Sequence, residues 1–248
     1  MKRNIAPLIL SAAPFLLAEG VLSYFIQTAR GELVPTIMYL SVVLAFVFSM
    51  ASVVFNNRLE YHLVRLGLLI TLGADYCLVL ASPTKELGGV IVFCFVQAAY
   101  FLALLLSDKN RLRRTVHIAV RAGVTVLILP VALLVLGESA DALAIFSAIY
   151  YANLVCNTVF AFLDFKRWGI FAVGLLAFTL CDASIGFTFL ANEYLGAAEG
   201  SFLYAVANAD INLAWVFYVP SLALIGLTPH LPLSFDGGEK KPINQKRG

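Results

Sequence analysis

Four carboxylates, Glu19, Asp75, Asp182 and Asp210, fall inside apolar runs of this chain. An acidic side chain near a bilayer centre costs about 2.5–3.5 kcal/mol on insertion scales, so each needs an interior partner or a wet cavity. The chemistry such groups offer is proton transfer. Two carboxylates in one dry cavity repel when both are ionised, so one is expected to keep its proton, and an acid then stands beside a base. Spacing singles out Asp75 and Asp182 as that pair. Gly67-Leu68-Leu69 is followed after five residues by Asp75, and Gly174-Leu175-Leu176 after five residues by Asp182. The repeat implies two four-helix halves of the same orientation.

Other polar residues gather near the same depth. Counted at about 1.5 Å per helical residue, the four carboxylates lie roughly 10–14 Å below one end of the bundle. Gln97 and Tyr100, Tyr150, Tyr151 and Asn153, and Asn212 fall near that layer, with Asn157 a turn deeper. Gln97 and Tyr100 are three apart and share a helical face. The layer is expected to be a polar chamber. For Tyr150, Asn153, Asn157 and Asn212, interhelical hydrogen bonding worth about 0.6 kcal/mol each is an equal alternative. Glu19 and Asp210 have the alternative of a structural hydroxyl partner.

The elements that must position these groups are membrane helices. The 248 residues are 61% apolar and 13% charged with a mean hydropathy of +0.89, whereas soluble domains are about 25% charged. A span needs about 20 mostly apolar residues. Eight segments qualify, at 6–26, 34–55, 63–82, 87–107, 116–136, 141–164, 168–191 and 202–226. Their length, and the lack of a period-two pattern, predicts an all-α polytopic bundle over residues 1–228 rather than a barrel. The start Met1-Lys2-Arg3 leads into the first span; Ala18-Glu19-Gly20 is a poor cleavage site. Residues 229–248 are polar and read as a flexible cytoplasmic tail.

Basic residues set the orientation. Fourteen of the seventeen Lys and Arg fall at the amino terminus, in or beside alternate loops, and in the tail. The opposite loops hold only Arg30 and Lys85. Both termini are therefore expected in the cytoplasm. The remaining one, Arg121, lies about a turn inside the fifth span and is expected to snorkel back to the interface.

Several chemistries find no support. A net charge of +2 is no nucleic-acid signal. The three His lie near the basic helix ends or in the tail, away from the carboxylates, which disfavours a zinc site. The four Cys sit in apolar runs as small packers. No nucleophile elbow or phosphate-binding glycine loop occurs. No cofactor is expected, and the partners implied are membrane lipid and no nucleic acid; oligomeric state is not legible.

Several short motifs carry a likeness. Leu72-Gly73-Ala74-Asp75, Phe95-Val96-Gln97-Ala98-Ala99-Tyr100, Leu180-Cys181-Asp182, a Tyr at 150 or 151, and Tyr218-Val219-Pro220-Ser221-Leu222-Ala223-Leu224-Ile225-Gly226 resemble the lysoplasmalogenase-like (YhhN-like) membrane proteins over about two thirds of the chain. This sequence departs from that pattern by Ala74 between Gly73 and Asp75, by Cys181 where a Ser is usual, and by Ser221 where Gln is usual. The resemblance implies hydrolysis of the vinyl ether bond of a lysoplasmalogen to a fatty aldehyde and a glycerophospho-alcohol. Asp75 and Asp182 would be the catalytic pair. Gln97, Tyr100, Tyr151, Asn157 and Tyr218 would bind the lysophospholipid substrate, and Glu19, Asp210 and Asn212 would complete the chamber. A small-solute or proton-coupled transporter using the same carboxylates is the alternative, and a non-catalytic lipid-binding protein a third.

Overall fold

A computed structural model of the chain describes residues 6–81, 85–195 and 197–231. Among these the chain forms nine α-helices: α1 Ala6–Thr28, α2 Leu33–Ala51, α3 Leu59–Asp75, α4 Glu86–Ser107, α5 Arg111–Leu136, α6 Ala142–Leu163, α7 Phe165–Phe189, α8 Phe202–Ala207 and α9 Leu213–Leu227. Seven helical segments are long and apolar enough to cross a membrane: Leu33–Val54, Leu59–Leu80, Glu86–Ser107, Arg111–Leu136, Ala142–Leu163, Phe165–Asn192 and Leu213–His230. The helical membrane bundle expected from the sequence is thus present. The first expected span coincides with α1, which is not among the seven.

Six helices close a ring. Neighbours pack in the order α2, α3, α4, α6, α7, α9 and back to α2. Outside it, α1 lies on α2 and α9, and α5 lies mainly on α6. Replacing α1, α2, α3 and α4 by α5, α6, α7 and α9 maps each of these ring contacts onto another. The repeat seen in the sequence is therefore repeated in the packing. Its glycines explain how: a Cβ on Gly67 would overlap the Tyr100 ring on α4, and one on Gly174 would stand 3.0 Å from Ile225 Cγ1 on α9. Both glycines let the third helix of a half approach the fourth closely.

The eighth expected span is broken. Helix stops after Ala207, restarts at Leu213, and leaves Asn208–Asn212 outside either helix. The cause is local: Asn208 Nδ2 donates back to the Tyr204 carbonyl at 2.9 Å, and Asn212 Oδ1 accepts from Trp215 N to cap α9. Gln27 of α1 holds the break, its Nε2 donating to the Asn212 carbonyl and its Oε1 accepting from Asn212 N at 2.8 Å.

The opposite end of the bundle is tied by cations and carbonyls. Arg65, buried in α3, donates to the Ser49 and Asn56 carbonyls and to Ser52 Oγ, covering the end of α2. Arg167 donates to the Ser107 carbonyl and pairs with Glu60 at 3.3 Å, while Trp168 Nε1 donates to Ser107 Oγ. Residues 229–231, on the tail side of the expected boundary, are anchored as well. Asn56 Nδ2 donates to the Pro229 carbonyl, Tyr61 to the Leu231 carbonyl, and the His230 ring stacks on Phe48. The rest of the expected tail lies outside the described residues.

Candidate active site

Asp75 is the last residue of α3, where the backbone widens into a π-helical turn over Tyr76–Leu80. Its Oδ2 accepts from the Tyr218 hydroxyl of α9 at 2.5 Å, and both side chains are buried. Asp182 sits in α7 and is likewise held by a phenol, its Oδ2 accepting from the Tyr150 hydroxyl of α6. Asp182 differs in exposure: it is only half-buried.

An aromatic wall joins the pairs. Tyr218 packs on Phe178 at 5.3 Å between ring centroids, Phe178 on Phe93 at 5.7 Å, and Phe93 on Tyr150 at 5.4 Å. The wall supplies apolar surface between two anionic or acidic groups, each fixed by a phenol. Buried Cys181 adjoins Asp182, and all four Cys are free thiols.

A second polar group is built on α4 and α6. Asn157 Nδ2 donates to Gln97 Oε1 at 2.9 Å and to the Gln97 carbonyl at 3.0 Å, linking α6 to α4. Tyr100 is buried against α3 and meets Phe171 edge-on at 5.3 Å. Among the described residues Gln97 Nε2 and the Tyr100 hydroxyl have no hydrogen-bond partner, nor does Ser221 Oγ. A buried polar atom left unpaired costs about 1–3 kcal/mol, so such atoms call for water or a ligand oxygen. Tyr151 is half-buried and packs partly on the core.

The remaining candidates stand apart. Glu19 is buried in α1, where its Oε2 accepts from Ser41 Oγ of α2 at 2.5 Å. That is the structural hydroxyl partner given as its alternative. Asp210 and Asn212 were expected inside a continuous helix. Both are exposed in the break before α9, because the Asn-rich segment caps helices instead of extending one. They line a cavity of about 480 Å³ with Ser184, Thr188 and Asn192, between the C-terminal ends of α7 and α8 and the start of α9.

Two residues gain importance. Tyr150 is the phenol on Asp182; it shares a helix face with Asn153 and Asn157, at i+3 and i+7, and that periodicity separates it from Tyr151. Arg121 does not snorkel to the interface. It turns inward, where Nη1 donates to Asn153 Oδ1 at 2.8 Å and Nη2 to Asn157 Oδ1. Acceptors on α6 lie within reach, and Phe101 lies 4.2 Å beneath the guanidinium. Among the described residues no group of His, Cys, Asp and Glu is arranged to hold a metal.

Comparison with protein-family models, with curated proteins and with solved structures returns no match.

Proposed function

We propose that the chain is an integral membrane ether hydrolase, similar to the lysoplasmalogenase-like family, that cleaves the vinyl ether of a single-chain alkenyl phospholipid. The supporting observation is the pair of carboxylates, each held by a tyrosine from a different ring helix across one aromatic wall. The chemistry needs an acid and a base in a dry site. One carboxyl delivers its proton to the outer vinyl carbon, leaving an oxocarbenium ion at the carbon attached to oxygen. Water adds to that carbon and gives its proton to the second carboxylate. The hemiacetal hydroxyl then returns its proton to the first carboxylate as the carbon–oxygen bond to the glycerol breaks, the second carboxyl gives its proton to the glycerol oxygen, and a fatty aldehyde leaves. No redox partner or cofactor is consumed.

The proposal includes eight spans, with α1 as the first and α8 with α9 as the interrupted last, and both termini in the cytoplasm. In a cysteine-free background, a cysteine at Asp210 then reacts with an impermeant maleimide from outside, and one at Lys109 only from inside. Labelling of both from one side overturns the topology.

Transport is the second reading, favoured by the interruption at 208–212, since carriers use broken helices beside cavities. Fatty aldehyde release from an alkenyl lysophospholipid by purified protein separates the two. Release by the wild type, reduced by about 100-fold or more in Asp75→Asn and Asp182→Asn, supports the hydrolase. No aldehyde from well-folded wild type across a broad pH range overturns it.

A further inference from the structure

A directed chain of hydrogen bonds runs from α5 through α6 to α4. Arg121 lies ten residues past the start of α5, about 15 Å along the helix. Among the described residues no carboxylate pairs with it; its guanidinium donates to Asn153 Oδ1 and Asn157 Oδ1. A guanidinium only donates, so both asparagines must turn their oxygens toward it. The Asn157 amide nitrogen is thereby aimed away from α5, and it donates to Gln97 Oε1. With Oε1 fixed on Asn157, the Gln97 NH2 group must face the other way. There it is buried with no acceptor among the described residues, and three residues along the same helix the Tyr100 hydroxyl is buried with no partner among them too. An amide with no cation behind it can present either end. This one is held with its donor end free.

We propose that Arg121 is a positioning residue: through Asn157 it fixes the Gln97 carboxamide so that its NH2 group, with the Tyr100 hydroxyl, receives an oxygen of the bound substrate. The proposal rests on the hydrolase reading of the same site. The ligand chemistry is a neutral or anionic oxygen acceptor, such as a glycerol hydroxyl or a phosphate oxygen. Arg121 acts without touching it.

The test is a double-mutant cycle on aldehyde release from an alkenyl lysophospholipid. Arg121→Gln, which can offer Asn157 an acceptor and let both amides turn over, raises KM about tenfold with little change in kcat. Arg121→Lys, again a pure donor, retains most of the wild-type KM. Gln97→Leu shows the same rise, and adding Arg121→Gln to it produces no further loss. Additive losses, or an unchanged KM in Arg121→Gln, overturn the proposal. A measurement free of catalysis stands beside it: a high-resolution structure of the wild-type protein with an alkenyl lysophospholipid. An oxygen of that lipid within about 3.2 Å of Gln97 Nε2 is the expected result. An Nε2 facing only carbon in the lipid-bound protein overturns the proposal. If the wild type releases no aldehyde, the hydrolase reading fails alone, and this structure still decides the role of Gln97.

Discussion

Asp75 and Tyr218 are 143 residues apart in the chain and 2.5 Å apart between Oδ2 and the phenol oxygen, both sealed from solvent. A net hydrogen bond is worth about 0.5–1.5 kcal/mol, whereas leaving one partner buried alone costs about 1–3 kcal/mol. Tyr218→Phe is therefore expected to lower stability by about 2 kcal/mol or more. Tyr150→Phe is expected to cost less, because Asp182 is less deeply buried than Asp75. Unfolding midpoints of the two purified variants check the order; an equal or reversed loss contradicts it.

The close approaches between ring helices predict a gradient among glycines. Gly67→Ala must displace the Tyr100 ring, and in Gly226→Ala the new Cβ would stand 2.9 Å from the Ala45 carbonyl oxygen, which is backbone and cannot swing aside. Overpacking of this kind costs about 1–3 kcal/mol. Gly20→Ala and Gly123→Ala meet nothing within 4 Å among the described residues and are expected to leave thermal stability unchanged or slightly raised.

Glu19 separates structural from chemical carboxylates. Its bond runs to Ser41, so Glu19→Gln keeps a side chain of the same shape that still meets that hydroxyl. Aldehyde release within about twofold of wild type is expected, against the large losses at Asp75 and Asp182. A loss as deep as theirs would bring Glu19 into the catalytic group.

Asp164, between α6 and α7 outside the spans, has its carboxyl pushed up, first by burial and against the pull of Arg167 and Arg113. With its pKa higher folded than unfolded, the native state binds the proton more readily, so stability falls as pH rises through the folded pKa. Asp164→Asn is expected to be more stable than wild type at neutral pH, with the difference shrinking below the ordinary carboxylate range. Melting curves at pH 4 and pH 7.5 test it; a difference independent of pH removes titration as the cause.

The sequence alone was enough for the helical membrane character, for the paired carboxylates at matched positions, and for the glycine that precedes each by eight residues. Composition and one-dimensional spacing carry these features, since a helix fixes which residues share a face and how deep each lies. The sequence could not separate a continuous eighth helix from a capped pair, because an apolar run interrupted by Asn208, Asp210 and Asn212 satisfies both until Gln27 of α1 clamps the break. Nor could it pair the phenols. Tyr218 reaches Asp75 across the ring while Tyr150 reaches Asp182 from the adjacent helix, so the two halves use non-equivalent partners for equivalent carboxylates. Arg121 shows the physical reason most plainly. Its place in the sequence permits both an outward and an inward side chain, and the choice depends on acceptors 32 and 36 residues away on α6. Those acceptors meet the cation only once the helices have packed.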